Sequence, residues 1–284
     1  MKPTPTTTAA FTALAMLAFA ANSLLCRQAL GGGHTDPAAF SVIRVLAGAC
    51  MLALLILPGR NLRIRLRSSW RAPMMLLGYM LFFSFAYLTL SAGTGALILF
   101  GAVQLTMLGA ALRAGERFEP LAWLGFVMAI GGLVYLVSPG VTAPDPAGAA
   151  LMALAGVCWG FYSLLGRNVG DPLGATAANF LYALPLVIAG ALPFAGSLQA
   201  DGSGLLLAVA SGALASGIGY AAWYLALRGL TASHAATVQL SVPVIAAAGG
   251  VLLLNEALTV RLVLASVATI GGIWIVLARR SARA

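Results

Sequence analysis

Charged side chains are what this 284-residue sequence has least of: they make up 8% of it, against roughly 25% in a soluble domain. With 61% hydrophobic residues and a mean hydropathy of +0.98, too little polar surface remains to face water, which excludes a soluble fold. The short alternating stretches of a transmembrane barrel are missing too, because the apolar runs are about 17–22 residues long and rich in Ala, Gly and Leu. The expected class is therefore all-α and polytopic. The three cysteines, Cys26, Cys50 and Cys158, have neither metal-ligand spacing nor the pattern of a disulfide framework. No H-E-x-x-H and no G-x-S-x-G occurs, and His34 and His234 lie far apart, so the common intramembrane hydrolase constellations are absent. Neither a metal nor a cofactor is expected. Acids are few, and Asp36, Glu116, Glu119, Asp145, Asp171, Asp201 and Glu256 all map to loops or helix ends. The net charge of +9 comes from basic residues in short loops, which points to a membrane surface and not to nucleic acid.

What is present is a duplication. Residues 91–136 begin SAGTGALILFGAVQ, pass Gly115-Glu116 and end around Ile130-Gly131-Gly132; residues 231–276 repeat this as TASHAATVQLSVPV, Asn255-Glu256 and Ile270-Gly271-Gly272. The offset is 140 throughout, and it also relates Ser23-Leu24-Leu25-Cys26-Arg27 to Ser163-Leu164-Leu165-Gly166-Arg167. Residues 1–140 and 141–284 thus form two halves of one transport unit. Ala18-Phe19-Ala20 resembles a signal-peptidase sequence, but residues 13–27 match the internal segment 153–167, so a first helix is expected there and not a cleaved leader.

Further helices are predicted at about 38–57, 73–90, 93–112, 121–138, 148–166, 174–195, 205–227, 231–254 and 259–278, which makes ten spans, five per half. With the N-terminus cytoplasmic, Lys2, Arg60, Arg63, Arg65, Arg67, Arg71, Arg113, Arg117, Arg167, Arg228, Arg279, Arg280 and Arg283 are inside, and only Arg27 and Arg261 outside. Both termini are then cytoplasmic. An odd number of helices per half inverts the second half relative to the first. The loop Pro58–Arg71, with Leu62, Leu66 and Trp70 four apart, is either a topology-setting basic loop or an interfacial helix against anionic lipid.

Polar groups inside spans must face protein, a partner or water. Candidates for solute contact are Asn22, Gln104, Gln239 and Ser241, with the rings Tyr79, Phe83, Trp159, Tyr162, Tyr220, Trp223 and Tyr224; their other reading is packing within the bundle. Phe19 corresponds to Trp159, and Phe83 to Trp223, at the 140 offset. Arg44 is the one formal charge well inside a span, expected to snorkel or to pair with an outer acid, the sharper alternative being a substrate carboxylate. Pro243 is a candidate hinge, since proline frees the carbonyl of Gln239. Glu116 and Glu256 are placed to meet the first-turn amides of the helices that follow them. Gly125, Ala129, Gly131 and Gly132, with Ala265, Ala268, Gly271 and Gly272, form small-residue stripes for close helix packing.

Ten spans in inverted halves, with G/N-E before the last helix of each and I-G-G within it, resemble the drug/metabolite transporter superfamily, in particular its EamA-type exporters. Within that group the chain is similar to bacterial aromatic amino-acid exporters. The resemblance implies a single chain in the bacterial inner membrane that exports small metabolites by alternating access. It also implies, in part, a cavity between the first, third, fourth, sixth, eighth and ninth helices, the fifth and tenth being scaffold. Amino acids, aromatic ones foremost, are the expected solutes, and efflux of hydrophobic cations is the alternative. An intramembrane enzyme or a non-transporting scaffold is the different-class alternative. The membrane-embedded glutamate of the four-helix multidrug exporters has no counterpart here, which favours facilitated transport or exchange over proton coupling.

Overall fold

Seven of the helix starts follow one local pattern, an oxygen-bearing residue and usually a proline, and in all but Glu119 the side chain accepts from a first-turn amide. Thr4-Pro5, Asp36-Pro37, Glu119-Pro120, Asp145-Pro146 and Asp171-Pro172 place an oxygen-bearing residue just before a proline that needs no hydrogen-bond acceptor. Asp36 accepts from the amides of Ala38 and Ala39, Asp145 from Gly148, Asp171 from Gly174 and Asp201 from Gly204. Ser91 does the same for Thr94. Four of the chain's seven acids are therefore helix caps, each contributing about 0.5–2 kcal/mol.

The computed structural model describes residues 4–57, 70–115, 119–166, 169–230 and 232–281. Its helices are α1 (Pro5–Gly31), α2 (Pro37–Ile56), α3 (Arg71–Ala86), α4 (Ala92–Arg113), α5 (Pro120–Val137), α6 (Pro146–Gly166), α7 (Pro172–Ala191), α8 (Gly202–Leu227), α9 (His234–Leu254) and α10 (Val260–Ser281). Among the described residues nine helices are long and apolar enough to cross a membrane, and α3 is a shorter apolar helix of 16 residues. The expected third span, 73–90, is completed by a turn in which the Leu90 amide donates to the Ala86 carbonyl. The end of the expected seventh span is a 3₁₀ turn, Leu192–Ser197, after α7. Leu54, Leu206, Val134 and Leu252 stand exposed on the outer surface, where hydrocarbon is their solvent. The chain is an all-α polytopic membrane protein. Most of the loop Pro58–Arg71, Glu116, and the basic residues Lys2, Arg117, Arg167 and Arg283 lie outside the described residues.

Helix contacts run mainly between halves. α1 packs on α8 and α9, α2 on α7 and α8, α3 on α6 and α7, α4 on α6 and α9, and α5 on α10. Exchanging each helix for the one five places away maps this set of pairings onto itself, with α2/α7, α4/α9 and α5/α10 unchanged. The α5/α10 pair shows why small residues recur there. A β-carbon at Gly125 would meet the Gly272 carbonyl oxygen at 2.6 Å, and one at Gly132 would crowd Thr269. Thr269, which donates to the Ala129 carbonyl at 3.4 Å, stands 140 residues from its acceptor, so the two equivalent positions of the repeat meet each other. Gly131 and Gly271 do not share in this: the first has open space around it and the second faces Met128. Only one glycine of each Gly-Gly is the contact, because adjacent helical residues point about 100° apart.

Two elements depart from simple helices. Within α8, Ser211–Ile218 is wound as a π-helix, and there a β-carbon at Gly212 would collide with the backbone of Arg44 in α2. α9 breaks at Leu240, whose amide bonds to the Thr237 carbonyl three residues back, so that Ala232–Gln239 and Ser241–Leu254 are separate helical pieces.

Candidate functional site

At one end of the bundle lie the starts of α1, α3, α5, α7 and α9; it is termed the terminal end, and the opposite one the far end. The far end is closed by a network across both halves. Arg27 at the end of α1 donates through Nε to Glu256 at 3.1 Å and through Nη1 to the carbonyls of Tyr87 and Leu88 after α3. Glu256 in turn accepts from the Ala92 amide that opens α4, at 2.8 Å and 3.1 Å. Glu256 therefore meets the positive end of α4, and not of α10 as its position in sequence suggested; the first turn of α10 is capped by Thr259, which accepts from the Leu262 amide. A second clasp joins the α1–α2 and α7–α8 loops. Asp36 accepts from the Gln199 amide at 2.7 Å, and His34 Nδ1 lies 2.9 Å from Asp201 Oδ2. The Gly204 amide and His34 together hold the Asp201 carboxyl below its usual range. Arg261 closes the third side, donating to the carbonyls of Leu136 and Ser138 at the end of α5.

Between the ends sits a pocket lined by Phe19, Asn22 and Ser23 of α1, Tyr79 and Phe83 of α3, Leu99 and Phe100 of α4, Trp159 of α6, and Ala215, Ser216 and Tyr220 of α8. Its rings touch across the halves, Tyr79 and Trp159 with centroids 4.8 Å apart and Phe19 and Tyr220 5.9 Å, and within the second half Trp159 and Tyr220 are 5.1 Å apart. The enclosed volume is about 20 Å³, room for roughly one water. A solute can enter only if these rings part. Toward the terminal end a far larger space of about 1050 Å³ opens between α1, the α8–α9 turn and α9, lined among others by Thr8, Thr12, Met16, Arg228, Thr237 and Ser241. Met16 and Phe19 are three residues apart on α1, so vestibule and pocket are separated by about one helical turn, ~5 Å.

A chain of polar contacts runs along the pocket wall. Arg44 Nη2 donates to the Tyr79 hydroxyl at 3.0 Å, Asn22 Nδ2 donates to the same oxygen at 3.3 Å, and Ser211 Oγ donates to Asn22 Oδ1 at 2.6 Å. Arg44 is 0% exposed, and its guanidinium carbon lies 5.3 Å and 4.9 Å from the ring centres of Tyr79 and Phe83. It does not snorkel, and it pairs with no acid among the described residues. Two aromatic faces and a phenol hold it where an interface or a carboxylate was expected.

Of the residues singled out from sequence, Asn22, Tyr79, Phe83, Trp159 and Tyr220 line the pocket. Tyr162 stacks behind Trp159 with its hydroxyl bonded by Asn179, Trp223 lies edge-on behind Phe19 at 6.0 Å, and the Tyr224 hydroxyl is held by Thr176 of α7. Gln104 donates to the Ala236 carbonyl and joins α4 to α9. Gln239 lies in neither lining, and Ser241 faces the vestibule while bonding the Val238 carbonyl. Contrary to expectation, α9 lines the vestibule and not the pocket. Thr106 and Ser163 bond carbonyls four residues earlier, and Ser84, which does the same, also accepts from Ser41 of α2. Ser211 and Ser216 are polar residues inside a span that the sequence marks as facing protein or a cavity without making them leading candidates; the Ser-Gly-rich run Ser211–Gly217 inside an otherwise apolar span is the further signal for them.

The profile of the EamA-like transporter family matches residues 146–278. An uncharacterized protein of Pseudomonas aeruginosa is 54% identical over 96% of this chain and 95% of its own length. The threonine/homoserine exporter RhtA of Escherichia coli is 31% identical over 77% of this chain and 74% of that protein. A solved crystal structure with 22% identity superposes with a TM-score of 0.68 over 97% of this chain and 98% of that one, which shows a shared fold. Fold, family profile and relatives agree: the chain belongs to the EamA-like transporter family within the drug/metabolite transporter superfamily, and it is a membrane transporter, not an enzyme.

Proposed function

We propose that the chain exports amino acids from the cytoplasm across a bacterial inner membrane, by alternating access between two inverted five-helix halves, residues 1–140 and 141–284. The observation that carries this reading is the closed pocket itself: a polar string, Arg44–Tyr79–Asn22–Ser211, walled by rings, with a seal on the far side and an open vestibule on the other. The excess of basic residues in the loops at the terminal end supports a cytoplasmic position for it, which makes the vestibule the loading side. α5 and α10 serve as the scaffold around which the other helices rock. A single chain and the surrounding lipid suffice for this architecture.

Within this class the named substrates of RhtA favour threonine and homoserine. The ring wall of Phe19, Tyr79, Trp159 and Tyr220 favours the second reading, aromatic amino acids. Hydrophobic cations fit less well, since a buried cation lies behind the Tyr79 and Phe83 rings of the pocket wall and no described carboxylate lines it. Counterflow in proteoliposomes separates these readings. Liposomes loaded with unlabelled threonine, homoserine, phenylalanine, tryptophan or a quaternary ammonium dye are given the labelled solute outside. Saturable, trans-stimulated uptake of an amino acid is the expected result; flux of the dye alone would replace amino-acid export with drug efflux.

A further inference from the structure

Arg44 is the eighth residue of α2, roughly 10 Å along the helix from its outer end, and its side chain is fully buried. Of its guanidinium nitrogens only Nη2 has a hydrogen-bond partner, while Nε and Nη1 have none. The ion pairs among the described residues, Arg27–Glu256 and His34–Asp201, do not include it. The faces of Tyr79 and Phe83 attract the charge. Each unpaired buried N–H carries a desolvation cost, larger where the group is charged. A cation left in that condition has a further use for an anion.

The hydrogens nearby point the same way. A phenol has two acceptor positions and one proton. Both positions on the Tyr79 oxygen are taken by Arg44 Nη2 and Asn22 Nδ2, and the Asn22 carbonyl is taken by Ser211. The Tyr79 proton therefore remains to be donated, from a residue that lines the pocket. Ser216, 1% exposed on the opposite wall, has a hydroxyl without a partner. The pocket thus presents hydrogen-bond donors backed by a positive charge.

We infer that the pocket is a receptor for a carboxylate: the Tyr79 hydroxyl donates to it, Ser216 adds a second donor, and Arg44 supplies the counter-charge behind Tyr79. This rests on the transport reading above and assigns the solute class that its site accepts. Arg44 is a positioning and electrostatic residue here, since Tyr79 stands between it and the pocket. A single guanidinium matches the one negative charge of a carboxylate, and an amino acid brings that charge wherever its side chain lies. When the rings part for the solute, the polar string offers a fixed anchor while the aromatic wall accommodates the remainder.

The test is binding to the purified full chain in detergent, read from the fluorescence of Trp159, whose ring lies 4.8 Å from that of Tyr79. The ring-to-ring contact makes the indole sensitive to occupancy. Probes are threonine and phenylalanine with their amides, and benzoate with benzamide. The wild type is expected to bind each acid at least tenfold more tightly than its amide. Tyr79→Phe, which keeps the ring and its contact with the guanidinium, should remove that preference, as should Arg44→Gln; Arg44→Lys should restore part of it. If amino acids fail to bind but benzoate is preferred over benzamide with the same dependence on Tyr79, the carboxylate site stands and amino-acid export falls. Equal affinity for acid and amide in the wild type, or a Tyr79→Phe loss that is the same for both, overturns the inference, as does the absence of any response to all three acids. Arg44→Gln need not be stable for the outcome to be decided, because Tyr79→Phe carries the comparison by itself.

Discussion

At the scale of residues, the two tryptophans that sequence singled out play different parts. Trp159 lines the pocket, whereas Trp223 sits behind Phe19. Trp159→Ala is therefore expected to weaken apparent affinity in counterflow by roughly ten- to a hundredfold, about 1–3 kcal/mol, with Trp223→Ala nearer threefold. Equal losses would put both rings in the same role. Which side chains mattered was legible by type but not by direction. Membrane helices are apolar all round, so the pattern that orients a soluble helix is faint, and Gln104, Tyr162, Tyr224 and Gln239 were read as cavity-facing on polarity or size alone. Arg44 was misjudged because its depth in α2 suits snorkelling, and only the three-dimensional meeting with α3 supplies the rings that hold it. At the far end, the lowered Asp201 carboxyl has a pH consequence. Its folded value lies below the unfolded one, so the stability it contributes is complete above the ordinary carboxylate value of about 4 and is lost as pH falls through the lower folded value. Protection of the Gly204 amide, which donates to Asp201, should persist at pH 5 and be lost only below about pH 4; loss of protection between pH 7 and 5 would show that the Asp201 carboxylate does not govern the clasp.

At the scale of elements, α9 and the far-end seal are the parts with somewhere to move. The break at Leu240 precedes Pro243, and the Ser241 hydroxyl satisfies the Val238 carbonyl there. Sequence placed a candidate hinge at Pro243, and on the transport reading proposed above the missing donor there and this rebonded turn would let α9 bend. Pro243→Ala restores a donor for the Gln239 carbonyl and is expected to slow exchange several-fold with binding affinity little changed. A straightened α9 with an unaltered rate would reduce the proline to shape. The seal depends on Glu256, which accepts from Arg27 and from the start of α4 at once. Glu256→Gln removes a charge worth about 1–3 kcal/mol in such bonds, a shift of roughly five- to a hundredfold toward far-side opening. Labelling of Ser23→Cys from the far side, in a chain lacking Cys26, Cys50 and Cys158, should accelerate by that factor; no change would mean that the Asp36 and Arg261 contacts hold the end shut. The π-helix in α8 was not legible. Its cause is long-range, the fit of Gly212 against the backbone of Arg44, and nothing in the local propensities of Ser211–Ile218 demands it.

At the scale of the whole molecule, helix number and order followed closely from sequence, because a run of about twenty apolar residues has few alternatives in a bilayer, whereas the pairing of helices emerges only from the packed structure. The 140-residue offset reappears as physical contact where Thr269 meets Ala129. What the offset could not give is the conformational state, since sealing and opening depend on loop contacts made by both halves. All the described far-end loops are bonded to one another, and the vestibule lies at the other end. With the described acids committed to helix ends and loops and none in the pocket, exchange should persist in proteoliposomes without a pH gradient; strict dependence on an imposed proton gradient would contradict that expectation. The central claim is that the far-end seal must open in every transport cycle. Arg27→Cys and Glu256→Cys, introduced together in the cysteine-less chain and bridged by a reductant-cleavable thiol crosslinker, test it directly. Counterflow of threonine or phenylalanine should proceed before bridging, stop when the bridge forms and return when it is cleaved. Undiminished counterflow through fully bridged protein would show that solute crosses without the far end opening.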